Sequence, residues 1–365
     1  EHKHELHKVS LAMESDEGTF SPHGLTYSGS NPIGKCIMSE ILKMLAPLNS
    51  TNLYPETKGP DIGELMQKGV PGSHIQTHNE HYFYFHHTNG DTMTVMDTDE
   101  LDRNTAVITA TAYAVASIDT YVLSLTIGSI KCNPKTFDDS ICDSLPKFTH
   151  ELREEIRNLS TDVNKIIDFV MTGADRGVTY DELAVFIDKF GSRFVGTANL
   201  ENSIDYMLDR LTREGHDIVG SEKLSVPIWQ RGKEWAQMVS PFEKKLNILG
   251  LGYSVGTNGR VLRGDVVVVK SFDELKQRSH EVKGKFVVFN YAYESYNTAA
   301  PYRLNGASEA AKYGAIAALI RSVTDFSIDS PHTGANEYKY KNAPKIPAVS
   351  ITVEDAELFG RLCAR

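Results

Sequence analysis

Lys8-Val9-Ser10-Leu11-Ala12-Met13-Glu14-Ser15-Asp16-Glu17-Gly18 is the stretch from which the fold class is read. Val9, Leu11 and Met13 fall on one side of an extended chain, the two-residue alternation of a strand. An acidic turn follows at once. The next apolar set has a longer period. Ile33, Ile37, Ile41, Met44 and Leu45 share one stripe of a helix predicted from about Pro32 to Ala46, with Pro32 suited to its first turn and Pro47 stopping it. A strand, an acidic loop and a helix in succession make the beginning of an α/β sheet covered by helices.

Outward from there the alternation continues. Asp61 to Gln67 reads as a short helix, Gly69-Val70-Pro71-Gly72 as a turn and Tyr82-Phe83-Tyr84-Phe85 as a strand. Asp99 or Asn104 then starts a helix through Ala106–Leu125. That run is the nearest approach to a membrane span, but its Thr and Ser content and central Asp119 would be costly in lipid. It is better placed lying on a sheet.

Residues 130–225 read as helical, with one helix over Phe148–Met171, another over Thr179–Phe190 and a third over Asn199–Arg213. From about 226 the character changes. Ile248-Leu249, Val266–Val269, Phe286–Phe289, Ile316–Ile320 and Ile346–Ile351 are strands interleaved with helices at Phe272–Ser279, from Gly306 and from Val353. These form a smaller α/β domain of their own.

Lys+Arg number 38 and Asp+Glu 48, a formal charge of −10, so the chain lacks the basic footprint of a nucleic-acid binder. The imbalance lies in residues 1–128, with 7 basic against 16 acidic side chains and 9 of the 13 His. Carboxylates and imidazoles gathered together are the raw material of a cation site, although a solvated acidic surface has the same composition. The opening EHKHELHK carries no signal-peptide pattern, which suits a mature or interior start. Asn49-Ser50-Thr51 and Asn158-Leu159-Ser160 are glycosylation acceptors. Cys132 and Cys142 bracket a short polar loop, as a local disulfide would, and Cys36 on the apolar helix face reads as a buried free thiol. These signs place the protein in a secreted or lumenal compartment.

Three tempting motifs fail on spacing. Gly250-Leu-Gly252-Tyr-Ser-Val-Gly256 has one residue too many for a dinucleotide loop, and a turn follows it rather than a helix start. In His4-Glu5-Leu6-His7 the second His comes one residue too early for a zinc-peptidase helix. Asp97-Thr98-Asp99-Glu100 lacks the glycine and closing Glu of a calcium loop and reads as a helix cap with an acidic first turn. Two features are stronger. Glu14-Ser15-Asp16-Glu17 sits past the carboxyl end of a strand, where open α/β sheets place ligands; a loop-capping carboxylate is the plainer account. In His86-His87-Thr88-Asn89-Gly90-Asp91, a carboxylate four residues beyond an imidazole can orient it, as happens with metal-bound His. A polar loop with a spare His explains it as well.

Met13–Phe20, Gly69–Gly72 and Phe85–Asp97, with Phe190–Gly196, Ile320–Gly334 and Lys345–Glu357, resemble the M28 family of two-zinc exopeptidases, which includes secreted leucyl-aminopeptidase-type glycoproteins. The resemblance covers essentially the whole chain. It implies that 1–128 is the C-terminal half of the peptidase domain, 129–225 its N-terminal helical part and 226–365 a protease-associated domain over the active-site mouth. It also implies a permuted order and an absent central block of roughly a hundred residues, about three βα units. Matched residue by residue, Asp16 becomes the Asp ligand of one zinc and His87 the terminal His ligand of the other. Asp91 becomes the support of His87, and His86 a possible oxyanion donor. The first His ligand, the bridging Asp and both Glu, including the general base, belong to the absent block.

The reading that follows is a secreted zinc exopeptidase acting on dipeptides or short peptides. Two zinc ions about 3.5–4 Å apart would activate a water and polarise the scissile carbonyl. The resemblance further implies a homo-oligomer, with neither nucleic acid nor membrane as partner. The alternative is a secreted glycoprotein of the same fold that acts by binding, with Asn49, Asn158 and the protease-associated domain as working surfaces. A serine hydrolase is remote, since no Gly-x-Ser-x-Gly elbow occurs.

Overall fold

The computed structural model describes residues 4–55, 57, 59–118, 137 and 139–365. They form two compact units. One holds Glu1–Asn79 and Met93–Gly191, and the other Glu80–Thr92 and Ser192–Arg365.

The first unit is a sheet with helices. Strands β1 (Ala12–Glu14), β2 (Pro22–Tyr27), β3 (Asn52–Pro55) and β4 (Gly72–Thr77) are ordered β1-β4-β2-β3, with β2 antiparallel to β4 and the other pairs parallel. Helix α1 (Pro32–Met44) starts where expected, the Asn31 side chain accepting from the Ile33 amide at 3.0 Å, and a short α2 spans Gly63–Gln67. Between β4 and the next long helix the chain makes one turn, α3 (Tyr82–Phe85), which belongs to the second unit. Helix α4 (Thr98–Ser117) is capped by Asp97, whose carboxylate accepts from the Glu100 amide at 2.9 Å, as Asp97–Glu100 predicts. Helices α5 (His150–Asn158), α6 (Ser160–Met171) and α7 (Val178–Phe190) complete the unit. Its core joins Leu25, Tyr27 and Ile75 of the sheet to Ile37, Ile41 and Leu42 of α1, Ala106 and Ala110 of α4, and Ile156 and Val163.

In the second unit, after helix α8 (Ala198–Arg213) and a small ribbon of β5 (Ala236–Met238) and β6 (Lys244–Leu246), comes the main sheet. It comprises β7 (Ile248–Gly250), β8 (Val266–Val269), β9 (Phe286–Phe289), β10 (Ala317–Arg321) and β11 (Ala348–Ile351), in the order β7-β11-β10-β9-β8. All pairs are parallel except β11 with β7. Parallel strands are covered on both faces, so they read as unbroken apolar runs, as Val266–Val269 does. Val267, Val269, Val287 and Phe289 enter one core with Ala299, Ala307 and Ala310 of α10 (Tyr296–Ala311). Val268, Val288 and Leu319 enter the opposite one with Ala356 and Phe359 of α11 (Val353–Cys363). A short α9 (Phe272–Gln277) links β8 towards β9. This is the mixed α/β architecture expected, and among the described residues no helix is long and apolar enough to cross a membrane.

Several expectations are corrected. Tyr82–Phe85 is a helical turn, not a strand. The His86 amide bonds back to the Tyr82 carbonyl at 3.0 Å, and Phe83 stacks on Tyr296 with ring centroids 5.0 Å apart. A run of four aromatics has high strand propensity, but propensity yields to tertiary packing. Phe148–Met171 is two helices meeting at Leu159, because Thr149 and Ser160 start separate ones. The first strand is shorter than expected, with Ala12 and Glu14 buried. Helix α10 begins at Tyr296 rather than Gly306, fixed by the reciprocal Ser295–Thr298 cap. Cys142 is bonded to Cys36, not to Cys132. Cys36 on the buried face of α1 lies 5.8 Å from Cys142, Cα to Cα, so proximity in space overrides proximity in sequence, and Cys36 is no free thiol. Cys132 lies outside the described residues, as do positions 119–125 of the expected Ala106–Leu125 helix. Asn49 and Asn158 are both exposed.

Candidate functional site

Asp16 is exposed, two residues beyond the end of β1, in the first unit. His86, His87 and Asp91 follow α3 in the second unit. Around the histidines the second unit builds a dense polar and aromatic setting.

The His86 and His87 rings stack with centroids 3.7 Å apart. His86 Nδ1 is 2.8 Å from the Tyr82 hydroxyl, while its Nε2 is buried with no hydrogen-bond partner. Burial pushes the His86 imidazolium down to about 3, aided by repulsion from His87, Arg303 and His332. His86 is therefore neutral at physiological pH. The ring of His332 is also buried and its pKa lies below the ordinary imidazole value, desolvation outweighing the carbonyl contacts that favour its charge. One of these is the Phe83 carbonyl, which accepts from Nε2 at 2.9 Å.

His87 has φ +60°, the left-handed region. Its Nδ1 is 3.2 Å from the Thr333 carbonyl oxygen, and its own carbonyl accepts from the Thr333 amide at 2.9 Å. A carbonyl has no proton to give, so Nδ1 is the donor in that contact. Asp91 interacts electrostatically with His87. Partial desolvation raises its carboxyl above the ordinary range, and the attraction of His87 pulls it back.

Arg303 of α10 adds a buried cation. Its Nη2 donates to the Tyr296 hydroxyl at 2.7 Å and its Nη1 to the Thr333 carbonyl at 3.3 Å. Gly334 makes room for it, since a Cβ there would lie 2.5 Å from the guanidinium carbon. His332, Thr333, Arg303 and Tyr296 have no local signal that marks them. His87 and Thr333 are 246 positions apart, and only the resemblance string Ile320–Gly334 takes in His332 and Thr333.

Among the described residues, no group of three or more His, Cys, Asp and Glu comes together to hold a metal ion. Imidazole and carboxylate are zinc-ligand types, but the described donors do not by themselves make a zinc site.

No protein-family model matches the chain. Among curated proteins it is similar to carboxypeptidase Q from Bos taurus, 41% identical over 247 residues that cover 67% of this chain and 52% of the relative. Carboxypeptidase Q from Homo sapiens is 44% identical over 214 residues, 59% of this chain and 45% of the relative. The chain thus spans about half the length of the curated relatives it matches. Among solved structures, an M28 peptidase precursor from Shewanella amazonensis is 28% identical with a TM-score of 0.48, covering 51% of this chain and 43% of that one. A zinc aminopeptidase from Bacillus subtilis is 19% identical with a TM-score of 0.36, over 50% of this chain and 40% of that one.

Proposed function

We propose that the complete protein is a secreted or lumenal zinc-dependent exopeptidase of the carboxypeptidase Q kind, hydrolysing dipeptides or short peptides. The observation that carries the reading is the similarity to carboxypeptidase Q, together with the M28-type strings around Asp16 and His87. In it, Asp16 and His87 are each a candidate zinc ligand. Bound zinc supplies Lewis acidity and a nucleophilic water at neutral pH.

The chain's own residues then have separate tasks. His87, whose Nδ1 donates to the Thr333 carbonyl, would meet a cation through its other ring nitrogen. Asp91 supports the charge that His87 takes on. His86, neutral and half-buried, can offer Nε2–H to a developing oxyanion if the Tyr82 hydroxyl donates to its Nδ1. The Cys36–Cys142 disulfide supports an oxidising compartment. Exposed Asn49 and Asn158 can carry glycans, and the α/β unit around β7–β11 is the protease-associated domain of this reading.

The test is metal analysis of the purified full chain, with dipeptide hydrolysis measured before and after a chelator and again after zinc is restored. Bound zinc and turnover that follows the metal are expected. A protein that takes up no zinc and hydrolyses no dipeptide overturns the reading.

A further inference from the structure

Arg303 on α10 is a buried guanidinium without a counter-ion. Only 6% of it is exposed, and its polar contacts are neutral groups: the Tyr296 hydroxyl, 2.7 Å from Nη2, and the Thr333 carbonyl, 3.3 Å from Nη1. Its Nε is buried with no hydrogen-bond partner, and no carboxylate among the described residues pairs with it. His86, which lies within reach of its charge, is no anion either. Arg321 makes the contrast. It is buried to a similar degree, and Glu357 and Asn290 accept from its Nη1.

Taking a guanidinium out of water is costly unless an opposite charge compensates it. A hydroxyl and a carbonyl offset part of that cost, and the face of Tyr296, 5.4 Å from the guanidinium carbon, offsets a little more. An anion would complete the set. Tyr296 shows where it would be held. The hydroxyl oxygen accepts from Arg303, so its own proton remains to be donated, and no acceptor for it is found among the described residues. The ring is partly exposed, stacked on Phe83 and edge-on to His86 with centroids 5.7 Å apart. A hydroxyl polarised by a guanidinium is a stronger donor than an unassisted one.

We propose that Tyr296 and Arg303 form a carboxylate-binding subsite, in which the Tyr296 hydroxyl donates to the free C-terminal carboxylate of a short peptide and the Arg303 charge behind it balances that carboxylate. Both residues, with Thr333 and His86, belong to the second unit, so the subsite lies within it. The inference rests on the peptidase reading only for assigning the carboxylate to a peptide. It adds to that reading which end of the peptide is recognised.

The test is an NMR titration of the metal-free full chain with alanyl-alanine and with alanyl-alaninamide, which differ only at the carboxyl end. The free acid is expected to bind about tenfold more tightly, the scale of one hydrogen bond to a charged group. Tyr296→Phe keeps the stacked ring and should cut that preference several-fold. Arg303→Met should abolish it, and neither change should alter the affinity for the amide. If Arg303→Met does not fold, Tyr296→Phe decides. Equal affinity of the wild type for the two ligands, or none for either, overturns the proposal. So does a preference that survives undiminished in either variant. Acetate should compete only weakly with alanyl-alanine; acetate bound as tightly as the dipeptide makes an isolated anion the ligand and overturns the assignment to a peptide. With zinc supplied, hydrolysis of the acid and the amide at the same KM sinks the subsite and leaves the peptidase reading standing. An Arg303-dependent preference in a protein that hydrolyses neither sinks the peptidase reading and leaves the subsite.

Discussion

At the residue scale, His87 is where the sequence and the structure meet. Its φ of +60° costs a non-glycine residue about 1–3 kcal/mol, and such outliers gather at functional sites. The sequence marks His87 and Asp91 by their spacing. It holds no local trace of Thr333, because the contact is made across 246 positions. His87→Ala should abolish zinc binding at its site and chelator-sensitive hydrolysis together, since a site with three protein ligands has none to spare; metal content and turnover measured on the same preparation check this. Asp91→Asn should leave the fold intact and weaken zinc roughly 10–100-fold, the usual effect of disturbing a ligand's supporting shell. A zinc titration matching that of the wild type would count against the role.

At the scale of elements, α1 and α4 were legible from their first turns, whereas the aromatic run 82–85 and the start of α10 were not. Asn31-Pro32 and Asp97 announce α1 and α4 because capping is local chemistry. Tyr82–Phe85 misleads because four aromatics satisfy a strand as readily as a turn that stacks on Tyr296. Helix α10 hides its first turns behind Pro301 and shows its purpose only in packing. At Gly306 an added Cβ would come within 2.6 Å of Ile320 Cδ1 and 3.1 Å of Phe289. Gly306→Ala should therefore destabilise the second unit by about 1–3 kcal/mol through overpacking. Urea denaturation followed by circular dichroism reads that change, and a stability equal to the wild type's would show that Ile320 yields freely.

At the scale of the whole molecule, the chain builds two cores and divides its candidate ligands between them, Asp16 in one unit and His87 in the other. Residues 80–92 join the second unit although strands and helices of the first flank them in sequence. The Cys36–Cys142 bond joins two points of the first unit 106 residues apart, and the loop it closes takes in residues 80–92 of the second. By loop-closure entropy such a cross-link contributes about 4–5 kcal/mol. Replacing both cysteines by alanine should therefore lower the thermal midpoint clearly, as scanning calorimetry would record. Peptide mapping without reductant should recover a Cys36–Cys142 cross-link, and a Cys132–Cys142 peptide in its place would overturn the assignment.

The sequence by itself determined the α/β class, the main strands of the second unit and the caps of α1 and α4, and it marked Asp16 and His87 as candidates. Each of these is written in periodicity, capping or the side chain's own donor set. Only the tertiary structure decided which cysteine partners Cys142, that residues 82–85 coil into a turn, and that a carbonyl 246 positions away meets His87 Nδ1. These depend on which surfaces meet once the cores form. A hydrogen bond or disulfide forms between groups close in space, and distance along the chain says little about that.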